Sequence, residues 1–193
     1  DKILNSFRKG KTNILIGTQL VAKGLDFSNV GLVGIVSADI SLNVPDFRSA
    51  ERTFQLITQA AGRAGRGDFP GKVLIQSYNP EHYSIIAAAE HDYDAFYRAE
   101  TIIRKQIGYP PFSDLIQIVL SSEKEQEALE VCRKVAADFI QNAGASEERY
   151  VFGPQPAPMN KIKGLYRYQL LIKCFPGKRK DYSRILNEIK IGR

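Results

Sequence analysis

The chain has 193 residues, of which 44% are hydrophobic and 25% are charged, so it can form one or two domains with apolar cores. Its net charge is +6, and no apolar run is as long as a membrane span, which excludes a protein built on transmembrane helices. Two cysteines, Cys132 and Cys174, are far apart and lack the spacing of a metal site. They predict buried, reduced thiols and a cytoplasmic protein.

The first part of the chain predicts an open α/β sheet. Residues 2–9 are typical of the end of a helix that stops at Gly10, and residues 46–62 predict an amphipathic helix. The predicted strands are residues 12–16, 30–37 and 72–77. The last two are apolar nearly throughout, as expected for parallel strands covered on both faces. Three strands are too few for a complete domain with an open α/β sheet, so we expect its remaining strands upstream of Asp1.

A long helix is predicted over residues 81–107, beginning after Pro80 and stopping at Gly108. Its apolar face predicts that these residues are buried: Ile85, Ile86, Ala89, Tyr93, Phe96 and Tyr97. The predicted domains are residues 1–80, a bridging helix over residues 81–108, and residues 109–193.

The last domain predicts a small α+β sandwich. Its elements are a strand at 114–120, a helix at 123–142, a strand at 149–152, a proline-rich loop, a strand at 165–174 and a helix at 180–190. This β-α-β-β-α order is typical of helices on one face of an antiparallel sheet.

The most informative segment is Gln59-Ala60-Ala61-Gly62-Arg63-Ala64-Gly65-Arg66, at the end of the helix predicted over residues 46–62. Its two arginines are three residues apart and project from one side of a helix, and each follows a glycine that allows close approach of a ligand. A guanidinium group can donate two parallel hydrogen bonds to the oxygens of a phosphate, and it stays charged when desolvated. The pattern therefore indicates an arginine finger aimed at a γ-phosphoryl group. The alternative interpretation is a helix end with two solvated arginines near the negative pole of its dipole.

A second segment, Gly17-Thr18-Gln19-Leu20-Val21-Ala22-Lys23-Gly24-Leu25-Asp26-Phe27, follows the strand predicted over residues 12–16. It provides hydroxyl, amide and backbone N–H groups at the carboxyl end of a strand, where open α/β sheets bind their ligands. Taken alone, such a turn is also compatible with no role beyond turning the chain.

The two segments, about 40 residues apart, resemble motifs V and VI of superfamily 2 helicases. Further stretches resemble the primosomal protein N′ (PriA) family of replication-restart helicases: residues 49–56, 78–82, 108–112, 153–158 and 164–168. The resemblance covers nearly the whole chain in order. It implies an α/β fold in which part of a second RecA-like (P-loop NTPase-like) helicase lobe precedes the small α+β sandwich.

The resemblance implies roles at the nucleotide. Arg63, Arg66 and Gln59 match the catalytic positions of motif VI, where the two arginines also bind ATP and Gln59 orders the γ-phosphate, water or the opposing lobe. Gly24 and Asp26 match positions that approach the ribose of ATP. A simple turn role is the alternative for Asp26.

The resemblance also implies DNA contacts by Thr18, Gln19 and Lys23 of motif V. Thr18 would meet a phosphate or couple DNA to ATP, and a capping hydroxyl is the alternative or additional role. Lys23 would meet a phosphate, against the alternative of a solvated lysine.

The C-terminal end is strongly basic and carries interleaved aromatic residues, which indicates a surface for a polyanion on whose rings bases can stack. The residues predicted to contact DNA there are Lys161, Lys163, Arg167, Tyr168, Lys178, Arg179 and Lys180. The alternative is a solvated basic face, with Tyr168 packed in the sheet.

The sequence contains no Gly-x-x-x-x-Gly-Lys-[Ser/Thr] phosphate loop and no Asp-Glu-x-His motif for Mg²⁺. The resemblance implies that both belong to a first lobe, so the full-length enzyme would use ATP and Mg²⁺ while this chain alone would not hydrolyse ATP. It also implies a cysteine-rich Zn²⁺ region upstream of Asp1, and we expect no metal site in this chain.

The resemblance therefore implies an ATP-dependent 3′-to-5′ DNA helicase that acts in replication restart and primosome assembly at stalled forks. Its expected partners are forked and single-stranded DNA, single-stranded DNA-binding protein and other primosome proteins. We expect a monomer without membrane attachment, in the cytoplasm at the bacterial nucleoid. The alternatives are another superfamily 2 translocase of the RecG type, or a DNA- or protein-binding module without catalysis.

Overall fold

The structure is a computed structural model that describes residues 2–18, 27, 30–65 and 70–189. The chain divides into two compact units, residues 1–101 and residues 102–193. The three-part domain division predicted from the sequence stays a prediction.

The first unit begins with helix α1 (Lys2–Arg8), which ends before Gly10 as predicted. Residues 12–16 were predicted as a strand, and this prediction is wrong for the described chain: Ile14 and Ile16 lie outside any strand and are 78% and 91% exposed. An apolar run forms a strand only where a neighbour takes up its backbone hydrogen bonds, and no described strand does so here.

Two short strands, β1 (Leu32–Ile35) and β2 (Lys72–Ile75), form a parallel pair, which confirms two of the predicted strands and their direction. Along both strands, exposed and half-buried residues alternate. Leu32 and Leu74 are 58% and 63% exposed. The prediction that both faces are covered is therefore wrong within the described residues, which cover one face.

Two helices follow β1, namely α2 (Asp39–Leu42) and α3 (Ser49–Ala61). Helix α3 confirms the amphipathic helix predicted over residues 46–62. It starts later than predicted because Asp46 lies before the helix and accepts a hydrogen bond from the backbone N–H of Arg48 at 2.9 Å. The buried core of this unit consists of Ala38, Phe54, Ile57, Ile85, Ala87, Ala88 and Phe96.

The long helix predicted over residues 81–107 is instead two helices, α4 (Tyr83–Ala89) and α5 (Tyr93–Ile107). His91 has a φ of +56°, a left-handed conformation that ends the first helix, and the Asp92 carboxylate accepts a hydrogen bond from the Ala95 N–H at 2.8 Å at the start of the second.

The break changes which side chains are buried. Ile85 and Phe96 are buried as predicted. Four residues predicted to be buried are exposed: Ile86, Ala89, Tyr93 and Tyr97. The prediction continued one helical repeat of apolar residues over 81–107, and such a repeat cannot give the buried positions of two helices that begin at separate residues.

The second unit has the β-α-β-β-α order that the sequence predicted. Its elements are β3 (Asp114–Ser122), α6 (Glu125–Ala143), a 3₁₀ turn (Ala145–Tyr150), β4 (Val151–Ile162), β5 (Leu165–Cys174) and α7 (Arg179–Glu188). The strands form an antiparallel sheet in the order β3-β5-β4.

Both helices of the second unit cover the same face of its sheet. Phe139 of α6 and Tyr182 of α7 are packed edge to face and share a core with Ile172 and Cys174 of β5. Leu170 and the α6 residue Cys132 belong to the adjoining core cluster. In the described part of the second unit, these two helices thus form one layer against one face of the sheet, and no helix packs across the other face.

The proline-rich segment over residues 153–158 was predicted as a loop and instead forms part of β4, so this prediction is wrong. Prolines cannot donate to a strand ladder, but β4 is an edge strand, where this is tolerated. The ladder with β5 is interrupted between Phe152 and Gln155 and again between Pro156 and Lys161.

Candidate functional site

The tip of α3 carries two of the predicted catalytic residues. Gln59 is exposed and Arg63 is half-buried. The helix closes with tight turns, in which the Gly62 N–H donates to Thr58 and the Arg63 N–H donates to Ala60, each at 3.0 Å. These bonds place a side-chain amide and a guanidinium group within one turn of a helix end.

The backbone that follows is tied to the sheet. The Gly65 N–H donates to the Val30 carbonyl oxygen at 3.0 Å, just before β1. Gly65 has a φ of +73°, and a Cβ atom there would lie 2.8 Å from the Gly71 nitrogen. A Cβ atom on Gly71 would lie 2.1 Å from the Gly65 nitrogen and 2.6 Å from the Ala64 Cβ.

This close approach of two backbone segments requires glycine at both positions. Gly71 precedes β2 and so fixes the α3 tip against the first residues of the sheet. The role of Gly71 was not predicted from the sequence. The available signal was a glycine six residues after Gly65 and directly before an apolar strand.

The other residues predicted to act at the nucleotide or to contact DNA in the first unit are only partly placed. Thr18 is exposed. Five residues lie outside the described part of the chain: Gln19, Lys23, Gly24, Asp26 and Arg66. Their roles stay predictions, as do those of Gln59, Arg63 and Thr18.

A buried carboxylate organises the carboxyl end of β2. Asp39 accepts hydrogen bonds from the Ser77 hydroxyl at 2.7 Å, the Tyr78 N–H at 2.9 Å and the Asn79 N–H at 3.2 Å. The Ser77 hydroxyl and these N–H groups hold the pKa of Asp39 below its usual value. Tyr78, on the loop held this way, is 95% exposed. Asp39 could not be predicted from the sequence as a functional residue, because its partners lie about 40 residues away.

In the second unit, the structure separates the predicted DNA-contacting cations into two groups. Lys161, Lys163 and Arg167 lie at the β4–β5 hairpin, whereas residues 178–180 lie beyond the other end of β5. A strand of this length spans roughly 30 Å at about 3.3 Å per residue. The basic residues therefore do not form one continuous patch.

The two groups also differ in their contacts. Lys178 pairs with Glu147 at 3.3 Å, and Arg179 lies 3.7 Å from an Asp114 oxygen. At the hairpin, the Lys161 ammonium lies 4.0 Å from the centre of the Tyr166 ring and bonds its hydroxyl. Among the described residues, carboxylates thus pair with the cations of residues 178–180 more than with the cations of the β4–β5 hairpin.

Tyr168 packs on the helix-covered side of the sheet. Its ring lies against the core cluster that contains Cys132, and its hydroxyl donates to the Glu125 carboxylate at 3.1 Å. The hydrogen bond to Glu125 raises the pKa of the Tyr168 hydroxyl. This placement favours the packing interpretation of Tyr168 over base stacking.

Two family descriptions match the chain, one in each unit. Residues 1–68 match the helicase conserved C-terminal domain, and residues 105–193 match the primosomal protein N C-terminal domain. The replication restart protein PriA of Bacillus subtilis (strain 168) is 49% identical over 173 residues, which is 90% of this chain and 21% of that protein. The chain matches the C-terminal part of PriA. The resemblance drawn from the motifs is confirmed.

Further PriA proteins show the same relation. The protein of Synechocystis sp. (strain ATCC 27184 / PCC 6803 / Kazusa) is 42% identical over 89% of this chain and 20% of its own length. That of Borreliella burgdorferi (strain ATCC 35210 / DSM 4680 / CIP 102532 / B31) is 40% identical over 87% of this chain and 25% of its own length. The chain thus spans about a fifth to a quarter of the PriA relatives it matches.

The two cysteines of the chain are free and buried, as predicted. Burial raises the pKa of Cys132 to about 11 and also raises that of Cys174, so both are thiols at neutral pH. The described residues bring no three His, Cys, Asp or Glu side chains together in a group that could hold a metal ion. Within the same residues, no helix is both long and apolar enough to cross a membrane.

Proposed function

We propose that the chain is the C-terminal part of an ATP-dependent DNA helicase that unwinds DNA in the 3′-to-5′ direction during replication restart at stalled forks. The observation that carries the proposal is the order of the two matches: a helicase segment that contains the α3 tip, followed by the C-terminal domain of PriA. The PriA relatives favour this function over that of a RecG-type translocase.

The α3 tip suits the phosphate end of ATP chemically. Its amide and guanidinium groups donate hydrogen bonds, as phosphate oxygens require, and the adjoining Gly65–Gly71 approach keeps their backbone in place. In the proposed mechanism Arg63, with Arg66, stabilises the negative charge that develops on the transferring phosphoryl group. Gln59 orients the γ-phosphate or the attacking water. Gly24 and Asp26 approach the ribose.

The phosphate loop and the Mg²⁺ ligands of such an enzyme would come from a different lobe. The described residues gather no cluster of acidic, histidine or cysteine side chains, so they do not fit Mg²⁺ or Zn²⁺, and no step of the mechanism here depends on either ion. In the same proposal, Thr18, Gln19 and Lys23 contact DNA. The protein acts at the nucleoid in the cytoplasm. The proposal also includes a monomeric state and cooperation with single-stranded DNA-binding protein and primosome proteins.

The experiment is an arginine substitution in the parent protein that carries both lobes. Arg63→Ala should lower DNA-stimulated ATP turnover by ~10³-fold or more, because an arginine finger stabilises charge only in the transition state. DNA affinity should change far less. Arg98→Ala is the matched control, since Arg98 is an exposed arginine on α5, and it should leave turnover unchanged.

Equal turnover in Arg63→Ala and wild-type protein would show that the α3 tip takes no part in hydrolysis. The chain of 193 residues alone provides the background rate. Hydrolysis by it that survives Arg63→Ala would reveal a different nucleotide site.

A further inference from the structure

Among the residues that the structure describes in the second unit, no helix packs across one face of the sheet. Side chains alternate along a strand, so the β5 residues that lie between the core residues Leu170, Ile172 and Cys174 point to the opposite side. The pairing of the strands brings residues of β3 and β4 beside them. This open face consists of Leu115, Gln117, Val119, Ser121, Phe152, Arg167, Gln169, Leu171 and Lys173.

Strands β4 and β5 carry charge of one sign. Residues 151–174 contain Lys161, Lys163, Arg167 and Lys173 and no aspartate or glutamate. The acidic residues of the second unit lie instead on the helices, their connections and the first residue of β3. The open face and its hairpin therefore complement a polyanion.

An exposed aromatic ring lies on the edge strand β4, near the end of β5 that is opposite the hairpin. Phe152 is 41% exposed, and the Lys173 ammonium lies 5.0 Å from the centre of its ring. The same ammonium lies 4.5 Å from the Tyr109 ring and donates a hydrogen bond to the Ile107 carbonyl. These contacts hold Lys173 in place, and Lys173 in turn supports the Phe152 ring while much of that ring stays accessible.

Amide groups accompany the ring. The exposed Gln117 side chain donates to the side chain of Gln169, which is 8% exposed, at 2.7 Å across the two strands. A fixed aromatic ring, an exposed amide and cations on the same sheet together match the three parts of a nucleotide: a flat base, polar base edges and a phosphate.

We propose that the open face binds single-stranded DNA, with one base stacked on Phe152 and the phosphates on Lys163 and Arg167. The proposal rests on the DNA helicase function proposed above and locates a DNA contact within it. Stacking on Phe152 requires a base without a partner strand, so the face should select single strands over duplex DNA.

The test uses the 193-residue chain, which contains no tryptophan. The conservative variant Phe152→Trp keeps an aromatic ring and introduces a single tryptophan, which can be excited selectively, at the proposed stacking position. Addition of an oligothymidylate should quench its fluorescence, and quenching and fluorescence anisotropy of a labelled oligonucleotide should give the same Kd. Duplex DNA should bind more weakly and quench less.

Removal of the ring provides a second measurement. Phe152→Ala should weaken single-strand binding by roughly 5- to 100-fold, the range expected for one stacked base, with little change in salt dependence. Ile102→Ala is the control, since Ile102 is an exposed apolar residue of the same unit at 57% exposure, and it should bind as wild type. A thermal melt by circular dichroism verifies that each variant is folded.

The outcomes separate this proposal from the proposed function. Binding without quenching in Phe152→Trp would place the strand elsewhere and overturn the open-face site, while the helicase assignment would stand on the Arg63 experiment. Absence of single-strand binding by the folded chain, or a preference for duplex DNA, would overturn the open-face site as well.

Discussion

Gly71 controls the geometry of the α3 tip although it lies outside the predicted motif. Any larger residue there would place a Cβ atom 2.1 Å from the Gly65 nitrogen, so the loop after Arg63 would have to move. In the parent protein we expect Gly71→Ala to lower DNA-stimulated ATP turnover by roughly 100-fold, since displacement of about 1 Å at a catalytic group costs that much. ATP binding should weaken far less, and steady-state kinetics separate kcat from KM.

Gly31 offers a matched control for Gly71. It immediately precedes β1, and a Cβ atom on it would contact nothing within 4 Å. Gly31→Ala should therefore retain the wild-type rate. Wild-type kcat in Gly71→Ala would mean that the α3 tip adapts without loss, and that the close approach has no part in positioning Arg63.

The contrast between Arg63 and Gly71 shows what the sequence could predict at the scale of residues. The chemistry of a guanidinium group near glycines indicates phosphate from a single short segment. The need for Gly71 arises only when two segments meet in space, so no local pattern contains it. The same holds for Asp39, whose hydrogen-bond donors follow β2.

At the scale of elements, Asp39 joins α2 to the loop after β2. Asp39→Asn removes the charge that attracts the Ser77 hydroxyl and two N–H groups, so the first unit should melt at a lower temperature. Asp94→Asn is the control, because Asp94 is exposed on α5. Melting followed by circular dichroism measures both variants.

The lowered pKa of Asp39 predicts the pH dependence of this effect. A carboxyl group whose pKa is lower in the folded state stabilises the fold above its ordinary pKa, and this contribution is lost as pH falls through the folded-state value. The difference in melting temperature between wild type and Asp39→Asn should therefore be present at pH 7 and shrink as the pH is lowered below the ordinary range of aspartate. A difference independent of pH would show that the charge of Asp39 has no role.

Elements with strong periodicity could be predicted from the sequence, and those that depend on a partner or a single backbone angle could not. Helix α3 and strand β5 have sustained apolar patterns and lie where predicted. The break between α4 and α5 depends on the left-handed conformation of His91 and the cap at Asp92, without a glycine or proline to mark it.

At the scale of the whole molecule, the acidic residues of the second unit lie outside strands β4 and β5. They lie on the helices, in the connections and at Asp114, the first residue of β3. Composition revealed a basic C-terminal end, but only the fold shows that its cations lie at both ends of β5. DNA bound along the open face would therefore meet the hairpin cations and need not reach α7.

This separation gives a last prediction, on the cations of α7. If DNA lies on the open face, replacing Lys178, Arg179 and Lys180 together by alanine should change the slope of log Kd against log salt by less than about one unit. Lys178 and Arg179 already pair with Glu147 and Asp114, so few counterions are released there on DNA binding. Fluorescence anisotropy with one labelled single strand over a salt series measures the slope.

The hairpin supplies the comparison for the α7 variant. Joint replacement of Lys163 and Arg167 by alanine should flatten the slope by up to about two units, roughly one for each phosphate that a cation no longer neutralises. The α7 triple variant should instead melt at a lower temperature, because Glu147 loses its Lys178 partner while the Tyr182 hydroxyl still donates to it. A reduction of about three units in the triple variant, with no change in the hairpin variant, would show that DNA follows α7 and leaves the open face free.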